Sequence, residues 1–380
     1  MFDTFAANRF DALDHGSSEM SSDGGRPRFV EGDGPATNPY FGAIASYQVC
    51  GCCGVYRGPT DGTDGGQGVI LNGDDRGGFG SNGKPSLFTD DAGAQITRTG
   101  QSWATALGTA AVVTYSYRAS AATMPTDTQG FSQFSAGQIA AAELAFAAWA
   151  DVANITFNRV TDAGSEYSNN ATIVLGNYSS GQSGAAAFAY LPGGRPGATA
   201  ASAVQGDVWI NNSLSYNATP VQQGYGQLTM LHEIGHAIGL SHPAAYNASA
   251  GTPITYGANA TYFEDSLQYS VMSYFTERET GADYRVNGAG GNRYASIPQL
   301  DDISAVQRLY GANMTTRTGD TTYGFNSNAG QVWFSATSSA STLIFAVWDA
   351  GGVDTFDFSG YTSNSTIDLR QASFSSVGGM

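Results

Sequence analysis

An α+β fold is predicted for this sequence, with a sheet of short strands backed by helices and a smaller all-β region after it. Three observations predict it. One long segment keeps helical periodicity, five β-rich runs surround it, and after residue 311 the pattern changes to short strands with acidic turns.

The long helix covers residues 134–153. Ser135 and Gln138 form a capping box at its start, and Ile139, Ala142, Phe146 and Trp149 recur at helical spacing to give one apolar face. That face needs a sheet to cover it. Residues 111–118 supply a strand before the helix, and residues 154–160, 171–178, 185–192 and 206–213 supply strands after it. A second helix over residues 225–239 stops at Gly239, where a residue able to adopt positive φ ends the helix and turns the chain. A third runs over residues 298–310, with Pro298 at its start, Ile303, Val306 and Leu309 on one side, and Gly311 past its end. Beyond it, residues 323–328, 331–337, 342–350 and 354–361 read as successive short strands. Residues 1–82 are polar, poor in periodic apolar pattern and Gly/Asp-rich towards their end, so they read as a separate leader.

Composition narrows the function. The formal net charge is -16 and Lys84 is the sole lysine, which leaves no basic patch for a nucleic acid or an anionic membrane surface. No segment is apolar enough to span a membrane, and the first residues lack the basic start and apolar run of an ordinary signal peptide. Cys50, Cys52 and Cys53 lie in one patch, so no disulfide framework is expected in the main domain.

His232, Glu233, His236, Gly239 and His242 spell an extended HExxHxxGxxH pattern. Positions i and i+4 of a helix share a face, so His232 and His236 can present ring nitrogens to one ion, and the turn at Gly239 brings His242 round as a third ligand. Three protein ligands leave a fourth position open, the mark of a catalytic rather than a structural zinc site. A bare HExxH arises by chance, but three of the chain's four histidines fall on the ligand positions with the required glycine between them; the fourth, His15, lies in the leader. Zinc lowers the pKa of a bound water from about 15.7 to about 7, and Glu233 stands next to the first ligand to take that proton as general base.

Thirty residues on, Met272 and Tyr274 stand in the run SVMSYF. Here the chain resembles the metzincin metallopeptidases, whose Met-turn lies beneath the zinc. Pro243 after the third histidine, together with the runs over residues 298–328 and 347–361, looks within that clan like the serralysins, from about residue 82 to residue 380. The resemblance implies a secreted zinc endopeptidase with a twisted, mostly parallel sheet, an antiparallel edge strand and the start of a calcium-binding β-roll. Domains would then span residues 1–82 (leader or propeptide), 83–314 (catalytic) and 315–380 (β-roll, truncated). It also implies that Tyr274 stabilises the oxyanion and that an edge strand, for which residues 185–192 are the candidate, aligns an extended substrate.

The runs RTGDT and WDAGGVDT are oxygen-rich turns able to hold a hard cation. By resemblance, calcium would take the carbonyls of Arg317, Gly319 and Thr321 with Asp349, Gly351 and Asp354, and a second ion would take Gly352 with Asp354. No glycine-rich nonapeptide repeat occurs in the sequence. Ala244 and Ala245 depart from the Gly-Asp that serralysins often carry there. Type I secretion, protein or peptide substrates and a monomeric state are further expectations of the resemblance. Cys50, Cys52 and Cys53 could block the zinc as a thiolate, form a strained local disulfide, or do nothing. The alternative function is a catalytically silent calcium-binding surface or adhesion protein on a protease scaffold.

Overall fold

The computed structural model describes residues 49–50, 70–121, 124–162, 171–182, 185–193, 204–247, 254–288 and 290–380. Strand β1 (Val49–Cys50) and helix α1 (Thr89–Ile96) precede β2 (Ala111–Tyr117), β3 (Thr128–Gln129), α2 (Ala136–Val152), β4 (Ile155–Arg159), β5 (Ile173–Tyr178) and β6 (Ser180–Gly181). Then follow β7 (Ala187–Ala189), β8 (Val208–Asn211), the short α3 (Ser215–Ala218), α4 (Tyr225–Ala237), the short α5 (Tyr256–Asn259) and α6 (Leu300–Tyr310).

The main sheet has the order β4-β2-β5-β8-β7. Its first four strands run parallel and β7 lies antiparallel to β8 at the edge, as expected of the fold. Parallel strands need crossovers, and α2 supplies the one between β2 and β4. Ser135 accepts from the Gln138 amide and Gln138 returns the bond to the Ser135 amide, the capping box read from sequence. Trp149 is fully buried, and its Nε1 donates to the Leu231 carbonyl at 3.1 Å, which fastens α2 to α4.

The structure shifts four expectations. Helix α6 begins at Leu300 with Gln299 as its N-cap, so Pro298 precedes the helix rather than opening it. Its N3 residue Asp302 accepts from the Gln299 amide, and that bond fixes the start. Residues 331–337 contain a 3-10 turn, Val332–Phe334, rather than a strand: the adjacent Trp333 and Phe334 rings are both buried and pack edge to face with centroids 6.0 Å apart, whereas the alternating pleat of a strand would send them to opposite faces. Helix α1 was not anticipated. Eight residues with Gly93 in their midst give little periodic signal, yet α1 packs so closely on α6 that a Cβ on Gly93 would meet Ser304 Oγ at 2.6 Å.

Residues 70–82, assigned to the leader by sequence, are built into the main body. Arg76 forms a bidentate pair with Asp301 at 2.8 and 2.9 Å, donates to the Leu87 carbonyl at 2.6 Å and lies 3.6 Å from Glu264. All three charged side chains are wholly buried. Polar composition misled here, because the segment is held by ionic and hydrogen bonds rather than by an apolar face.

The C-terminal region contributes β9 (Thr322–Gly324), β10 (Ala346–Val347), β11 (Thr355–Asp357) and β12 (Ser373–Phe374). β9 pairs in parallel with β11, and β1 pairs with both β10 and β12. Tyr323, Phe334, Phe345 and Phe374 join the same hydrophobic core as Trp149 and Met272, so the core runs without a break from the main sheet into this region.

Candidate active site

Helix α4 carries His232, Glu233 and His236, all buried. Gly239, with φ 111°, turns the chain after it, and a Cβ there would lie 2.2 Å from the Gln101 carbonyl. The turn delivers His242 to the other two histidines: its Nε2 stands 3.2 Å from that of His232 and 3.1 Å from that of His236.

Each ring is oriented by its other nitrogen. Nδ1 of His232 lies 2.8 Å from the Val271 carbonyl, Nδ1 of His236 2.7 Å from that of Leu240, and Nδ1 of His242 2.8 Å from that of Tyr246. A carbonyl only accepts, so all three Nδ1 atoms carry hydrogen and all three Nε2 lone pairs converge. Tetrahedral zinc with bonds of about 2.0–2.1 Å would separate its nitrogen ligands by about 3.3–3.4 Å, close to the spacing found. Converging lone pairs repel without a cation, so the donor set fits zinc. Among the described residues this is the only group of three or more His, Cys, Asp or Glu placed to hold an ion.

The turn that carries Met272 packs against α4, and its Val271 carbonyl reaches the cluster at His232. Met272 is fully buried, and a Cβ on Gly235 would meet its Sδ at 2.6 Å. The glycine inside the HEIGH run therefore lets helix and turn touch. Asp302 holds the turn, accepting from Ser270 Oγ at 2.6 Å and from the Val271 amide at 2.8 Å, while the Val271 carbonyl orients His232. Burial pushes the Asp302 carboxyl up to about 6. Tyr274 packs beside the cluster, its ring centroid 4.4 Å from that of His242 and 6.1 Å from that of His232. Behind His242, Tyr246 donates to Asp265 at 2.7 Å, as does Ser273. Burial pushes the Asp265 carboxyl up to about 7, against those two hydrogen bonds. Sequence reasoning passed over Asp302, Asp265 and Tyr246. Asp302 stood in a quoted run, but none of the three carries a spacing signal.

The C-terminal oxygen-rich runs are brought together. Asp349 accepts from Tyr323 OH at 2.5 Å and from the Gly351 amide at 2.9 Å, and Asp354 accepts from the Thr321 amide at 3.0 Å. Asp320 accepts from the Val353 amide at 2.9 Å, and a Cβ on Gly352 would lie 2.5 Å from the Gly319 carbonyl. Burial and the nearby Asp349 and Asp320 raise the Asp354 carboxyl above its ordinary range. Arg317 turns its side chain to Asp151, at 2.6 and 2.8 Å. Of the three cysteines, Cys50 lies in β1, paired in register with Ala346 and Phe374, while Cys52 and Cys53 fall outside the described residues.

Residues 115–262 match the matrixin family model and residues 312–380 the model of the serralysin C-terminal domain of peptidase family M10. Serralysin A of Dickeya chrysanthemi is 47% identical over 303 residues, which cover 79% of this chain and 60% of that protein. Metallopeptidase AprA of Pseudomonas marginalis is 48% identical over 313 residues, 80% of this chain and 62% of that protein. A serralysin of Photorhabdus sp. (strain Az29) is 48% identical over 260 residues, 68% of this chain and 50% of that protein. The chain thus spans 50% to 62% of the length of these curated relatives.

Proposed function

Because this chain is serralysin-like along the region it shares with these relatives, we propose that it is a zinc-dependent endopeptidase in which His232, His236 and His242 hold the metal and Glu233 is the general base. The observation that carries the reading is the convergence of three Nε2 atoms at 3.1 and 3.2 Å with every Nδ1 turned to a carbonyl. When bound, zinc supplies Lewis-acid polarisation of the scissile carbonyl and lowers the pKa of its water to about 7. Glu233, one residue from the first ligand, takes the proton from the attacking water and returns it to the leaving amine nitrogen. Tyr274, beside His242, donates its hydroxyl to the oxyanion that forms at the attacked carbon. Substrate lies extended along β7, the antiparallel edge of the sheet.

The same reading makes the loops around residues 317–321 and 349–354 a calcium site that uses the carbonyls of Arg317, Gly319, Thr321 and Gly351 with Asp349 and Asp354, and assigns Gly352 with Asp354 to a second ion. It also makes the chain an exported precursor whose N-terminal leader keeps it latent. Hydrolysis of unfolded casein, with and without a zinc chelator, tests the central claim. Cleavage that survives complete removal of zinc, or a zinc-loaded protein that never cleaves once the residues before 70 are removed, would refute it.

A further inference from the structure

His232 and His236 are set by the hydrogen bonds of one helix, but His242 lies in irregular chain after Gly239 and needs another support. The support comes from the end of α1 and the segment after it. The Ser241 amide donates to the Ile96 carbonyl at 2.8 Å. Gln95 Nε2 donates to the Pro243 carbonyl at 3.1 Å, and Arg98 Nη1 and Nη2 donate to the carbonyls of His242 at 2.6 Å and Ala244 at 3.4 Å. Three successive carbonyls, 242 to 244, are thus each engaged by a side chain from one short stretch. The planar fork of a guanidinium suits the two that flank the proline. The Tyr246 carbonyl, two residues beyond, is the one that orients the His242 ring.

The gripping segment is itself fixed. Gly93 presses α1 on α6, and Trp103 Nε1 donates to the Ala237 carbonyl at the end of α4 at 2.8 Å. Gln95 and Arg98 spend these bonds on main-chain carbonyls, so through them they act on the His242 ring by way of the backbone.

We propose that Arg98 and Gln95 are positioning residues for the third zinc ligand, locking the peptide planes of residues 242–244 so that His242 stays turned to the metal. The inference rests on the zinc reading above. Partners of this kind that orient a ligand change metal affinity by about 10- to 100-fold when removed. The experiment uses the full chain carrying Glu233→Ala, with zinc affinity measured by competition against a fluorescent chelator and the visible spectrum recorded with cobalt(II) in place of zinc. Arg98→Ala should weaken zinc binding by about 10- to 100-fold and change the cobalt bands. Gln95→Ala should act in the same direction by less, and Arg98→Lys should fall between parent and Arg98→Ala. Arg370→Ala, at the exposed pair with Asp74, should change neither reading.

Unchanged affinity and an unchanged cobalt spectrum in Arg98→Ala, while the parent binds zinc, would overturn the proposal. So would a loss of affinity that only matches a loss of folding stability in the metal-free protein. Should Arg98→Ala not fold, Gln95→Ala and Arg98→Lys decide the matter by the same two measurements. A parent chain that binds no zinc would remove the zinc reading itself, an outcome distinct from these.

Discussion

In the histidine cluster each ring spends its Nδ1 hydrogen on a backbone carbonyl, so contacts with the protein drive three lone pairs into one point. In the C-terminal loops the contacts run the other way. There the acidic oxygens of Asp349, Asp354 and Asp320 accept backbone amides, and Tyr323 adds its hydroxyl to Asp349. Both regions are rich in potential ligands, but only the first is arranged so that protein bonding concentrates unshared electron density. The loops already close on themselves. A cation there would relieve repulsion among Asp349, Asp354 and Asp320 rather than create the turn, so metal should govern chemistry in the first region and stability in the second.

The sharpest test of the first half is Glu233→Ala. It removes the base and none of the converging nitrogens, so casein hydrolysis should fall by about 10²- to 10⁴-fold while the purified protein keeps stoichiometric zinc. Zinc lost along with activity would show that the histidines do not suffice as a preset site. Tyr274→Phe should lower turnover by about 10²-fold with little change in KM, because the hydroxyl acts on charge that develops only in the transition state. A change confined to KM would place Tyr274 among substrate contacts instead.

For the loops, calcium chelation should speed limited proteolysis within residues 316–361 before any zinc is released. Equal digestion with and without calcium would dissolve the contrast between the two regions. The smallest effect is expected from Asp265, whose folded-state carboxyl stands near 7 and whose unfolded value is about 3.9. Between those values the folded protein retains a proton that the unfolded chain has lost. Stability from this group is therefore present below about pH 4 and declines as pH rises towards 7. Thermal unfolding of Asp265→Asn should show a flatter pH dependence over that window.

Much of this was legible in the sequence because it depends on local spacing. The i, i+4 histidines, the turn at Gly239, the Ser135 capping box and the period of residues 139–149 are statements about one helix or one turn, where geometry follows from neighbours. What escaped depends on partners far apart in the chain. Arg98 meets His242 across 144 residues and Arg76 meets Asp301 across 225, and no periodicity marks such pairs. Trp149 shows the boundary between the two cases. Its place on an apolar face could be read, but its bond to the Leu231 carbonyl, which ties α2 to the zinc helix, could not.

Arg76 also bears on how this folded unit could be shortened or grafted. A truncated chain starting at residue 83 keeps every side chain assigned to the chemistry and looks complete by motif. It would nevertheless strand Asp301 and Glu264 without their shared cation in a fully buried setting. Removing one partner from a buried pair costs about 3–5 kcal/mol, a large part of a domain's net stability. Asp301 adjoins Asp302, which braces the Met-turn, so the damage would begin one residue from the support of the first histidine. The smallest autonomous folding unit therefore starts upstream of Arg76, at a point set by electrostatics rather than by motif.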